Sequence, residues 1–125
     1  MILLTVDEII GLHYKLIEKT GGSDGIRDIN LLESAVYGAE ASFGAEECYP
    51  STEEKAARLM YALTNNHAFV DGNKRIGVFV MLITLNLNSV ELRYSQEELI
   101  NLGLSVAASQ TDYDGIYNWI LKHKI

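Results

Sequence analysis

Disulfides are excluded first, because Cys48 is the only cysteine in the 125-residue chain. A lone thiol reads as a small hydrophobe and is compatible with a reducing cytoplasm. Proline is nearly absent too, with Pro50 alone, while 48% of residues are apolar. That balance argues against a disordered or low-complexity chain and for a compact helical domain over residues 1–125. Positive charge is scarce: 10 basic residues face 17 acidic ones, for a net charge of −7. Counterion release drives nucleic-acid affinity, so no direct DNA or RNA partner is expected. Long apolar runs are missing as well. The richest, Ile76 to Leu87, falls short of the roughly 20 residues that span a bilayer. Met1 to Thr5 carries no basic stretch and leads straight into a helix start, so no signal peptide is read there, and no membrane partner is expected.

Helix starts, by contrast, are abundant. Thr5-Val6-Asp7-Glu8, Ser51-Thr52-Glu53-Glu54 and Ser95-Gln96-Glu97-Glu98 each match the Ser/Thr-x-x-Glu capping box. Apolar spacing then predicts helices over about 6–19, from Asp28 onward, over 52–66, 73–88, 96–109 and 112–124. Gly21-Gly22 stops the first, and a loop follows the second through Pro50. Val90-Glu91-Leu92 reads as a short extended link. The helix after Asn73 is apolar nearly all round, as a central helix covered by its neighbours would be. The expectation is an all-α bundle of six helices.

Chemistry concentrates in His67-Ala68-Phe69-Val70-Asp71-Gly72-Asn73-Lys74-Arg75, directly ahead of that central helix. A helix N-terminus offers unpaired N–H groups and a positive dipole end, which favour anions. Lys74 and Arg75 oppose that dipole, an arrangement that an intervening phosphate would relieve. Arg75 would clamp phosphate bidentately and Lys74 would act as a point charge. His67 can take a proton near neutral pH, although a histidine at a helix end is commonly structural. Asp71 fits either an N-cap or an oxygen ligand for Mg²⁺. Gly72 permits positive φ and close backbone approach, and Asn73 fits a turn or a phosphate contact. Phe69 is assigned to the core. His13 reads as a residue on the flank of the first helix, too far in sequence from His67 and His123 to suggest zinc. No Walker loop, His-Glu-x-x-His or paired Cys-x-x-Cys unit is present.

His-x-Phe-x-Asp-Gly-Asn-Lys-Arg resembles the signature of the Fic/Doc family, and specifically its Doc (death-on-curing) toxin branch. Gly25-Ile26-Arg27-Asp28, followed by Leu31-Leu32-Glu33-Ser34-Ala35, extends the likeness. The resemblance implies an all-α Fic/Doc-type bundle using ATP and Mg²⁺. His67 would be the general base and Asp71 the Mg²⁺ ligand, while Gly72, Asn73, Lys74 and Arg75 would hold phosphates. Most Fic members carry Gly-Asn-Gly-Arg and transfer AMP. Doc toxins carry lysine at the position of Lys74 and phosphorylate a threonine of elongation factor Tu, arresting translation. Ala68 replaces the usual proline and Val78 a second arginine, both counting against AMP transfer. No glutamate here precedes glycine or asparagine, so the inhibitory segment of many Fic enzymes is not visible. Inhibition in trans by a cognate antitoxin is expected instead. An AMP transferase and a non-catalytic Fic-like binding module are the alternatives. Target specificity is expected in the flap near Gly22 to Asp28.

Overall fold

The computed structural model describes residues 1–125 as six helices and one small hairpin. Helix α1 spans Val6–Thr20, α2 Ile29–Ala39, α3 Thr52–Asn66, α4 Asn73–Leu87, α5 Gln96–Ala107 and α6 Tyr113–His123. All three capping boxes form as read. Thr5, Ser51 and Ser95 each accept from the N3 backbone, and Glu8, Glu54 and Glu98 each accept from the cap's own N–H. Each such cap contributes about 1 kcal/mol. Asp28 caps α2 and Asp112 caps α6 in the simpler one-sided way.

The hairpin was not expected. Strands β1 (Ser42–Phe43) and β2 (Glu46–Glu47) pair antiparallel within what the sequence marks only as a loop. Every strand residue is exposed, so no alternation of apolar and polar positions announces them. Lys55 ties the hairpin down: its buried ammonium donates to the Ala39 and Tyr49 carbonyls and to Glu47.

Helices α3 and α4 form the centre as a pair. Gly77 allows their close approach, since a Cβ there would lie 3.2 Å from the Met60 carbonyl and closer still to Thr64 Oγ1. One apolar cluster joins this pair to α1 and α2 through Ile9, Leu32, Leu63, Phe69 and Ile76. A second joins it to α5 and α6 through Met60, Met81, Leu102, Val106 and Ile120. The neighbours do not wrap α4 completely, however. Phe79 stays 45% exposed beside the gap between α1 and α5. The link after α4 is extended as expected, and it pairs with the chain's last residues through a Leu92–Lys124 bridge. No helix is long and apolar enough to cross a membrane.

Candidate active site

The site sits where α3 ends and α4 begins. Helix α3 stops because His67 turns left-handed, with φ 54° and ψ 46°. Its side chain is exposed and makes no hydrogen bond. Behind it, Arg27 donates to the last carbonyls of α3, from Nε to His67 at 2.6 Å and from Nη2 to Asn66 at 3.2 Å. A cation at a helix C-terminus meets the negative end of the dipole, so this contact is favourable.

The loop from Ala68 to Gly72 is fixed on several sides. Ala68's carbonyl accepts from the Arg27 and Asp28 amides, and Val70's amide donates to Gly25. The 25–28 segment is therefore sewn to the loop as a short antiparallel edge. Phe69 is 1% exposed, and burying such a ring contributes roughly 1.5–3 kcal/mol. The Asn73 carboxamide closes the loop, accepting from the Phe69 amide and donating to the Phe69 carbonyl, both at 3.0 Å. That side chain is thus pinned to the loop, with the second Nδ2–H and the Asn73 backbone N–H left as donors for an anion.

Asp71 was a candidate N-cap, but the cap is Gly72, at φ 77°, and no side chain caps the first turn of α4. The Asp71 carboxylate turns instead toward the end of α1. Ser23's amide donates to Oδ2 at 3.1 Å and Gly72's amide to Oδ1 at 2.8 Å. These two donors, Ser23's first, hold the carboxyl below its ordinary range, and Arg75 adds to the effect. Gly22 makes the approach possible: at φ +115°, a Cβ there would lie 2.5 Å from Asp71 Oδ2.

The two cations differ in freedom. Arg75 Nη1 donates to Thr20 Oγ1 and the Gly21 carbonyl at 2.6 and 2.8 Å, and Nη2 lies 3.6 Å from Asp71 Oδ1. Nη1 is thereby committed to the end of α1, and Nε and Nη2 keep the donors that could face a ligand. Lys74 is exposed and carries no ion pair, its stem lying over Gly103 of α5. His67, Asp71, Gly72, Asn73, Lys74 and Arg75 all line one cleft of about 400 Å³, with Thr64 and Ala107 on its walls. The structure therefore brings together every site residue read from the sequence.

It also adds residues the sequence reading missed. His13 is 1% exposed rather than on a flank. Its ring stacks on Phe69 with centroids 3.8 Å apart and planes 10° from parallel. Its Nε2 lies 2.7 Å from the Asp71 carbonyl, which can only accept, so the nitrogen donates. The available signal was spacing: Ile9, His13 and Ile17 recur every four residues, placing the histidine on the buried stripe. Gly22, Ser23 and Arg27 are the other additions, all in the 22–28 segment, for which the sequence gives no role in holding the site.

A carboxylate held by backbone donors, an exposed histidine and an uncapped, cation-bearing helix start thus meet in one loop between the two central helices of an all-α protein. The chain belongs to the Fic/DOC family, whose signature matches residues 3–85. It is 37% identical over 101 residues to "Toxin Doc" of Mycolicibacterium smegmatis, covering 77% of this chain and 75% of that protein. It is 27% identical over 113 residues to "Protein kinase doc" of Escherichia phage P1, covering 90% and 88%.

Proposed function

We propose that the protein is a Doc-like toxin kinase that moves the γ-phosphate of ATP onto a hydroxyl of a protein target. A threonine of elongation factor Tu is the proposed acceptor, with translational arrest in the cytoplasm as the outcome. The observation that carries this reading is the cleft itself: an unpaired Lys74 and an ionised Asp71 beside the exposed His67 at the uncapped start of α4. Similarity to a protein named as a kinase supports the choice of reaction.

In this reading His67 accepts the proton of the target hydroxyl. The freed oxygen bonds to the γ-phosphorus as the bond from that phosphorus to the β,γ-bridging oxygen breaks, and ADP leaves. Asp71 would hold Mg²⁺, which when bound would neutralise phosphate charge. Its two oxygens offer about four lone-pair sites, and two backbone amides use only half of them. Lys74, the free N–H groups of Arg75 and the backbone N–H of Asn73 supply the remaining contacts to phosphate.

A similar protein named Toxin Doc points to an antitoxin as the second partner. The proposed seat is the apolar gap between α1, α4 and α5, lined by Leu16, Val78, Phe79, Ile100 and Leu104 and bordered by Lys74 and Arg75. An amphipathic segment would cover its apolar floor and reach the two cations. Gel filtration with the candidate small protein tests this; no complex and no loss of activity would refute it.

The reaction is tested by incubating the protein with lysate and ATP labelled at either the α or the γ position. Label from the γ position on a target supports kinase action. Label from the α position would mean AMP transfer, and none from either would leave a binding module.

A further inference from the structure

His13 is the one histidine buried in the core, and the reaction proposed above gives it no role. It comes from α1, 58 positions away from Asp71 in sequence, yet its single hydrogen bond ends on the Asp71 carbonyl. That carbonyl belongs to the peptide group between Asp71 and Gly72. A trans peptide is planar, with its C=O and N–H pointing in opposite directions, and no cis bond occurs in this chain. Fixing the oxygen therefore fixes the amide. With the oxygen held by His13 on the core side, the Gly72 N–H points the other way and donates to Asp71 Oδ1 at 2.8 Å.

Gly72 is where this control matters. At φ 77° its backbone has the freedom of glycine, and a peptide preceding a glycine can rotate to exchange the places of its oxygen and hydrogen. The rotated form would point a carbonyl oxygen toward the Asp71 carboxylate, adding a negative dipole where phosphate is expected to bind. It would also set an N–H against the Nε2–H of His13, two donors face to face. A donor at that point of α1 thus selects one of the two orientations. The ring's flat contact with Phe69 keeps it from turning away.

The geometry points to His13 as a positioning residue that locks the Asp71–Gly72 peptide with its N–H on the Asp71 carboxylate, so that the carboxylate is held in place at the cleft where a nucleotide would bind. The inference builds on the kinase reading, but its structural half stands without it. The Nε2 donor is the element this role requires, while Nδ1 faces the Asp24 carboxylate at 3.7 Å. His13→Phe keeps the stacked ring and removes the donor. His13→Gln restores an N–H at similar reach.

The test reads two quantities in the full chain: the Gly72 amide resonance in a ¹H–¹⁵N spectrum without nucleotide, and kcat and KM for ATP in γ-phosphate transfer. His13→Phe should remain helical by circular dichroism, move the Gly72 resonance and lower kcat about 10–100-fold, the range seen when an outer partner of a site is lost. His13→Gln should return the resonance and most of kcat. A His13→Phe protein with an unmoved Gly72 resonance and wild-type kcat would overturn the inference. If His13→Phe does not fold, His13→Gln decides: a folded variant with a displaced resonance and lost turnover overturns it, and a wild-type-like one supports it. Should the wild-type protein transfer no phosphate at all, the kinase reading fails, and the Gly72 resonance still decides the role of His13.

Discussion

Arg27 grips the carbonyl of His67 from behind, with Nε 2.6 Å from the oxygen, and so holds a left-handed residue at the end of a helix. A non-glycine residue in that region is strained by about 1–2 kcal/mol. The guanidinium also reaches Asn66, so a single side chain caps two orphan carbonyls of α3.

Arg27→Ala should therefore lower stability by about 1 kcal/mol, visible as an earlier urea midpoint. It should also slow any reaction that needs His67 in place. Arg27→Lys, keeping the charge but only one directed contact, should fall between. A midpoint and rate equal to wild type would mean that the contact holds nothing.

His67→Ala should reduce phosphate transfer by on the order of 10²–10⁴-fold without disturbing the fold, because the imidazole is exposed and unbonded. His67→Gly should be at least as stable as His67→Ala, since glycine accepts positive φ without strain. Comparing their melting temperatures checks the second point. Growth arrest that survives His67→Ala would favour the binding-module reading.

Gly22→Ala should damage the site from outside the motif. Its new methyl would sit 2.5 Å from Asp71 Oδ2 at a backbone angle that suits only glycine. The carboxylate must move or the turn must open, and either should weaken the Mg²⁺-dependent nucleotide binding proposed for Asp71. Calorimetry with ATP and Mg²⁺ measures the loss, and unchanged affinity would show that the Ser23–Asp71 contact is dispensable.

Glu98 gives the fold an acid-sensitive tie. The His123 ring bonds it at 2.7 Å, and with further donors from Ser95 this lowers its carboxyl to about 2 from an ordinary 4.5. A depressed folded-state value means stability that is fully present above the ordinary value and is lost as pH falls through it toward 2. Glu98→Gln should consequently be less stable than wild type near neutrality, with the gap closing as pH approaches 2. The carboxylate is exposed, so the effect should be small. Chemical denaturation across that pH range reads it.

What could be read from the sequence was local. A capping box lies within four residues, and all three formed. The site motif is nearly contiguous, so its cleft residues could be named before any coordinates. The Asp71 assignment as a helix cap missed by one residue, because a left-handed Gly72 takes that position while the carboxylate bonds across to Ser23. His13 and Arg27 escaped for a different reason: their partners lie 58 and 40 positions away, and only packing brings them together. Arg75 looked free for the same reason, with Thr20 and Gly21 more than 50 positions upstream.

The split core separates two kinds of constraint. The matched family signature ends at residue 85, within α4. Beyond it, α5 and α6 close the second apolar cluster and supply Ile100 and Leu104 to the gap beside Phe79. Residues that hold the histidine, the carboxylate and the loop all precede that boundary. On the proposed reading, a change on the outward face of α5 alters the gap beside Phe79 without touching the contacts that hold His67 and Asp71. Gly103 under the Lys74 stem and Ala107 on the cleft wall are where α5 touches the cleft itself, so substitutions there should affect the cleft as well as the gap.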